Sequence, residues 1–286
     1  MLSIPRTMLS RAVGVALAAA ALAVPAPAPA QMSAARGIAP AFAPPVAAPQ
    51  QNAPFACIAP VDVARFNYPL RNTARRLTSA APLTIVAIGS SSTAGAGASS
   101  PAASYPSRLA VELNQRLPTH NITVLNRGVN GEETEDMMAR FAADVVAAHP
   151  DLVLWQVGTN SVLRDHPLKP HSVLLHEGIE ELKAAGADVV IIDMQFAPRV
   201  IAKPETPGME DQIALAAKEE SVDLFRRFEL MRNWHDVQHI PFDAFVSPDE
   251  LHMNDWSYAC VAKLLAAAIT EAATRPAASA AIPSLR

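Results

Sequence analysis

The chain lacks the marks of several common functions. It has no run of lysines and arginines, and its formal charge is −4, so the electrostatic basis of nucleic-acid binding is missing. Its glycine-rich turn, Gly89-Ser90-Ser91-Ser92-Thr93-Ala94-Gly95, contains no lysine, which excludes a phosphate loop. The same turn has Thr93 where G-x-S-x-G places its second glycine, which excludes a nucleophile elbow. No internal repeat is present. The apolar stretch Ala12 to Val24 is thirteen residues long, short of the ~20 that cross a bilayer. Cysteine is nearly absent, with Cys57 and Cys260 the only two.

What is there begins with an export signal. Arg6 and Arg11 supply a positive start, the apolar stretch follows, and Ala28-Pro29-Ala30 offers a small-x-small cleavage site. Residues 1–30 therefore read as a signal peptide, its alternative an uncleaved anchor, and the mature protein as periplasmic or secreted with no stable membrane anchor. Cleavage removes two arginines and no acid, taking the charge from −4 to −6. In an oxidising compartment Cys57 and Cys260 are expected to form a disulfide, two buried free thiols being the alternative. Cys57 lies too far beyond the apolar stretch to be a lipidated cysteine. Residues 31–56 read as an Ala/Pro-rich linker, since ten of the 25 prolines fall before residue 61. An arm over 57–81 follows, with Arg71, Arg75 and Arg76 expected in solvent. The domain extends over 57–273, and 274–286 reads as a disordered tail.

From Pro82 onward strand and helix alternate. Leu83-Thr84-Ile85-Val86-Ala87-Ile88 reads as a strand buried on both faces. Further strands are predicted over 121–126, 151–157, 187–194 and, more weakly, 222–227. Helices are predicted near 104–117, 133–148, 171–185 and 208–220. The last runs from Trp256 to Ala273, with Asn254 or Asp255 as its cap. Such alternation implies a parallel sheet of about five strands covered on both faces, with right-handed crossovers.

Chemistry-bearing residues follow the strands. The serines after the first strand lie at its carboxyl end, where open α/β sheets place ligands, and one of them is a candidate nucleophile. After the second strand, Asn126-Arg127-Gly128-Val129-Asn130-Gly131-Glu132-Glu133-Thr134 turns into a helix. Backbone amides of such a turn, Gly131 or its rival Gly128, can hold a developing oxyanion. After the third, Gly158-Thr159-Asn160-Ser161 offers a side-chain amide to the same oxygen, a plain turn residue being the alternative. In Asp249-Glu250-Leu251-His252 the acid, three residues before the histidine, can reach the imidazole and fix its tautomer. Asp255 is equally close in sequence, but a helix cap explains it better. His235-Asp236-Val237-Gln238-His239 imitates a zinc-binding H-E-x-x-H helix; it lacks an evident third ligand, and an exposed helix explains it as well.

These blocks, in this order, resemble the GDSL or SGNH hydrolase family over roughly residues 83–270. The family's first block reads Gly-Asp-Ser-Leu; here Gly89-Ser90-Ser91-Ser92 stands in its place and maps the nucleophile to Ser91. The oxyanion glycine maps to Gly131, the oxyanion asparagine to Asn160, and the acid–base pair to Asp249 and His252. Ser90, Ser92 and Ser161 depart from the pattern without removing a group the mechanism needs. The resemblance implies a three-layer α/β/α sandwich with a flavodoxin-like strand order. It also implies a serine esterase using Ser91, His252 and Asp249, with an oxyanion hole from Ser91, Gly131 and Asn160. No metal and no organic cofactor is implied.

Export and the lack of a long hydrophobic insertion lean towards short acyl esters, O-acetyl groups on a polysaccharide foremost. The partner is then a small-molecule or polysaccharide ester. Lipid or aryl esters, acyl transfer to a sugar, and a non-catalytic polysaccharide-binding module are the alternatives. Phe228, Trp234, Phe242 and Phe245 precede the histidine block, either to line a cleft or to fill the core. Oligomeric state is not legible in the sequence.

Overall fold

The computed structural model describes residues 55–275. The expected signal peptide, nearly all of the linker and residues 276–286 of the tail lie outside the described residues. Five parallel strands form one sheet: β1 (Leu83–Gly89), β2 (Ile122–Gly128), β3 (Leu152–Gln156), β4 (Asp188–Ile192) and β5 (Asp223–Phe225). Their order, β2-β1-β3-β4-β5, is the flavodoxin-like one. Helices are α1 (Arg71–Thr78), α2 (Ser91–Ala94), α3 (Tyr105–Arg116), α4 (Thr134–Met138), α5 (Thr159–Leu163) and α6 (Leu168–Ala184). They continue with α7 (Pro198–Ile201), α8 (Thr206–Glu219), α9 (Arg227–Arg232), α10 (Phe242–Phe245) and α11 (Asp255–Thr274). Among them α11 packs on α3 and α1, and α6 packs on α8.

The core is continuous apolar sequence put to use. Ile85, Val86, Ala87 and Ile88 of β1 and Leu152, Val153, Leu154 and Trp155 of β3 are fully buried, as a parallel sheet covered on both faces requires. β2 lies at an edge and is only half-buried.

Two local expectations need correction. The predicted helix 133–148 is broken into α4, a wide π-type turn Phe141–Val145 and a 3₁₀ turn Val146–Ala148. The break sits at Arg140, whose guanidinium turns back to the sheet, while Phe141 meets Trp155 edge to face at 5.1 Å. The arm 57–81 contains α1, and Arg76 is not simply solvated, because its Nε donates to Asp151 Oδ1 at 2.6 Å.

Three aspartates at the amino edge of the sheet fasten that arm. Asp151 also accepts from Thr84 N–H at 3.1 Å, Asp188 from Thr73 N–H at 2.8 Å and Asn72 N–H at 3.1 Å, and Asp223 from Asn67 N–H at 2.6 Å. At the arm's start, Cys57 and Cys260 are disulfide-bonded, with Cα atoms 5.4 Å apart. Trp256 Nε1 donates to the Phe55 carbonyl at 3.2 Å, and Trp234 Nε1 to the Ile58 carbonyl at 3.1 Å.

Candidate active site

The nucleophile turn is shaped by the end of β3. Gln156 Oε1 accepts from the N–H and the hydroxyl of Ser90, both at 3.0 Å, so Ser90 is consumed as support for the turn. Ser92 is also buried, its hydroxyl 3.4 Å from Gln195 Oε1. Ser91 opens α2, and its Oγ lies 2.7 Å from His252 Nε2. Of the three neighbouring serines, this one alone faces the imidazole.

His252 is presented by a tight loop between Val246 and Met253, which are paired by an antiparallel bridge. Ser247 N–H closes the loop onto the His252 carbonyl at 2.7 Å, and Glu250 takes a positive φ of 60° at its apex. Asp249 divides its two oxygens. Oδ1 accepts from Ser247 Oγ at 2.7 Å and from the N–H groups of Leu251 at 3.0 Å and His252 at 2.9 Å. Oδ2 faces His252 Nδ1 at 2.5 Å. A carboxylate can only accept, so the proton sits on Nδ1 and Nε2 is left as acceptor for the Ser91 hydroxyl. Partial burial pushes the Asp249 carboxyl upward. The His252, Ser247 and backbone hydrogen bonds outweigh it and hold the carboxyl well below the usual carboxylate range.

The two turns that carry Gly131 and Asn160, the candidate oxyanion donors, are tied to each other. Gly131 has φ 81°, and its carbonyl accepts from Arg164 Nη2 at 2.8 Å. Asn160 Nδ2 donates to the Glu132 carbonyl at 2.7 Å, which occupies one of its two N–H groups and leaves the other. The rival donor Gly128 is engaged, its N–H on Asn126 Oδ1 at 2.9 Å. Arg140 anchors the loop from beneath, donating to both Glu132 oxygens and, at 2.8 Å, to the Arg127 carbonyl. Glu133 joins Ser161 Oγ at 2.8 Å and His166 Nδ1 at 2.9 Å. Beside it a cavity of about 300 Å³ is bordered by Ser161, His166 and the buried His171.

Several supporting residues escape a reading of motifs. Gln156 was detectable as the polar residue that ends the apolar run Leu152–Trp155, whereas Gln195 stood as an isolated amide. Gly97 was not: with φ 84°, its Cα faces the His252 loop so closely that a Cβ would come within 2.9 Å of His252 Cβ. Asp255 is not the helix cap. Asn254 caps α11 by accepting from Ser257 N–H at 3.2 Å, and Asp255 instead accepts from Ser99 N–H at 2.8 Å.

The aromatic residues divide. Trp234 and Phe245 are fully buried core. Phe228 and Phe242 are half-buried around Phe196, the first edge to face and the second stacked, with the His235 ring 4.2 Å from that of Phe242. The zinc-like pair does not share a helical face, because the π-type turn ends at Val237 and His239 takes φ 55°. Among the described residues no group of three His, Cys, Asp or Glu side chains can hold a metal ion, and no helix is long and apolar enough to cross a membrane.

Known proteins resemble the chain over part of its length. An arylesterase of Vibrio mimicus is 33% identical over 78 residues, covering 27% of this chain and 39% of its own. An acetylxylan esterase of Geobacillus stearothermophilus is 34% identical over 74 residues, covering 26% of this chain and 33% of its own. The matched stretch thus spans only about a third of each curated relative. Among solved structures, a two-domain esterase (CEX) active on acetylated mannans superposes with a TM-score of 0.63 at 18% identity, over 78% of this chain and 58% of that one; at that identity the likeness concerns the fold. The description "Non-GDSL lipase-like family" matches residues 56–275, the whole of the sheet and its helices. The chain belongs to this non-GDSL lipase-like family.

Proposed function

We propose that the chain is an exported serine esterase that hydrolyses short acyl esters, O-acetyl groups on carbohydrate above all. The observation that carries the reaction type is the continuous line Ser91 Oγ, His252 Nε2, His252 Nδ1 and Asp249, with contacts of 2.7 and 2.5 Å. Ser91 Oγ attacks the ester carbonyl carbon as its proton passes to His252 Nε2. The carbonyl oxygen, now negative, is met by the N–H groups of Ser91 and Gly131 and by the free N–H of Asn160. Collapse expels the alcohol, which leaves with the proton from Nε2 and strands the acyl group on Ser91. Water then attacks, gives its proton to Nε2, and the second collapse releases the acid and restores the Ser91 hydroxyl. Asp249 stays ionised and steadies the imidazolium in both halves.

The acetyl-carbohydrate preference is supported by the names of the acetylxylan esterase and of the esterase active on acetylated mannans. Export is supported by residues 1–30, and the absence of a cofactor step follows from the residues that suffice for the reaction. The arylesterase relative favours aryl esters as the second reading. Acetate release from acetylated xylan and mannan, compared with hydrolysis of aryl esters of rising chain length, decides between them. Ser91→Ala is expected to abolish every one of these activities. Faster turnover of octanoate than acetate esters discards the acetyl preference, and full activity in Ser91→Ala discards the mechanism. Ester product formed on added sugar acceptors, in place of free acid, assigns acyl transfer instead.

A further inference from the structure

One buried side chain touches three of the four chemical turns, those of Ser91, Asn160 and His252. Gln195, three residues past the end of β4, is fully buried. Its Oε1 accepts from Thr159 Oγ1, next to Asn160, at 3.0 Å and from Ser92 Oγ, next to Ser91, at 3.4 Å. Its Nε2 donates at 3.3 Å to the carbonyl of Leu251, the residue before His252. The two ends of this amide are not interchangeable. Arg227 Nη2, 3.1 Å from Oε1, can only donate, and the Leu251 carbonyl can only accept. A flipped amide would set like against like in a buried place, where an unmatched polar group is costly.

The orientation is enforced from below. Arg227 is fully buried and donates a second time from Nη2, to the Asp193 carbonyl at 2.5 Å. The Asp193 carboxylate balances its charge and accepts from Phe228 N–H at 2.9 Å. Burial raises both carboxyls of the neighbouring pair, Asp193 to about 6 and Glu210, repelled further by Asp193, well above the usual carboxylate range, so Asp193 is the first of the two to ionise. Gln195 therefore sits against a buried cation whose charge the nearby Asp193 offsets.

We propose that Gln195 is a positioning residue, locking the His252 loop to the Ser91 and Asn160 turns and so setting the approach of Nε2 to Oγ. It touches no substrate. The proposal rests on the esterase reading of Ser91 and His252. Its scale is set by the sensitivity of reacting geometry, where a displacement of ~1 Å can cost ~10² in rate.

Two variants of the full chain test it. Gln195→Met keeps the volume and deletes every bond; Gln195→Glu keeps an oxygen for Thr159, Ser92 and Arg227 and deletes only the donor to Leu251. Both are assayed on a small acetate ester, well below their melting temperatures. The expected result is a fall in kcat of about tenfold to a hundredfold in each, with KM changed less than about twofold. Wild-type kcat in either folded variant, or a loss confined to KM, overturns the proposal. If Gln195→Met does not fold, Gln195→Glu decides alone, since it matches the amide in size and gains attraction from Arg227. The downfield proton resonance of His252 Nδ1–H against Asp249 supplies a reading independent of turnover. It should be sharp in the wild type and broadened or lost in both variants, and a signal unchanged by the substitutions overturns the proposal. A wild type that hydrolyses no ester but shows this contrast sinks the esterase reading and leaves the positioning role standing.

Discussion

The two edges of the sheet use the same residue for opposite ends. At the amino edge Asp188 and Asp223 each accept from backbone N–H groups with both oxygens and fasten the chain's arm to the strands. At the carboxyl side Asp249 accepts from backbone N–H groups in the same way, but with one oxygen only. The second oxygen is left to a titratable ring. Nothing in the carboxylate differs between the edges; what differs is that the backbone at Asp249 satisfies one oxygen and turns the other towards His252. Structure takes up only half of this acid and leaves the other half to the imidazole.

That contrast breaks most sharply at Asp249. In Asp249→Asn the side-chain oxygen can still accept from Leu251 and His252 N–H, so the loop should hold. The new NH₂, however, donates towards Nδ1 and forces the proton onto Nε2, where it cannot receive the Ser91 proton. The expected loss in kcat is about 10⁴, the size of the equivalent change in a serine protease, with the melting temperature nearly unchanged. Enzyme kinetics alongside thermal melting checks both halves of that statement.

Next in size is the oxyanion side. Asn160→Ala should lower kcat by about 10²–10³ with KM nearly unchanged, while freeing the Glu132 carbonyl that Asn160 holds at 2.7 Å. A change confined to KM would assign Asn160 to substrate binding.

Asp188→Ala is the mirror experiment. It strands the N–H groups of Asn72 and Thr73, and the expected cost is about 2 kcal/mol in chemical denaturation with kcat unaltered. A comparable loss of kcat would mean that the two edges are mechanically coupled.

The last effect is one of pH, spread over several units and smallest at any one pH step. Burial drives the His171 imidazole down to about 4, against a smaller upward pull from Glu133. A base depressed in the folded state contributes stability above its unfolded value of ~6.5 and loses it as pH falls towards 4, here with a slope of at most about 1.4 kcal/mol per pH unit. His171→Asn should remove that slope from denaturation curves measured between pH 4 and 7 without disturbing the ionisation of Asp249. A slope that survives the substitution would place the titrating group elsewhere.

The sheet was legible because its strands announce themselves twice, as β-branched runs and as the places after which serine, glycine and asparagine recur. Ser91, Gly131, Asn160, Asp249 and His252 were named from those blocks, and the structure sets Ser91, His252 and Asp249 in one hydrogen-bonded line. Long-range support was less accessible. Gln195 reads as an isolated amide until Leu251, 56 residues later, is folded onto it. Arg140 reads as a helix residue, and only its bonds to Glu132 and the Arg127 carbonyl explain why the helix stops there. Asp255 misleads for the same reason: its partner Ser99 lies 156 residues away, while the cap it might have been is one residue off.

The staple at Cys57 and Cys260 also gives the molecule an optical handle. Trp256 stands one helical turn before Cys260, its ring 4.8 Å from that of Trp234, and both indoles hydrogen-bond the arm that the disulfide closes. Disulfides quench nearby excited indoles, so this pair should be dim while the staple is closed and brighten when it is reduced. The third tryptophan, Trp155, is sealed inside the sheet against Phe141 and supplies a constant background. Emission intensity thus becomes a meter for the release of the arm.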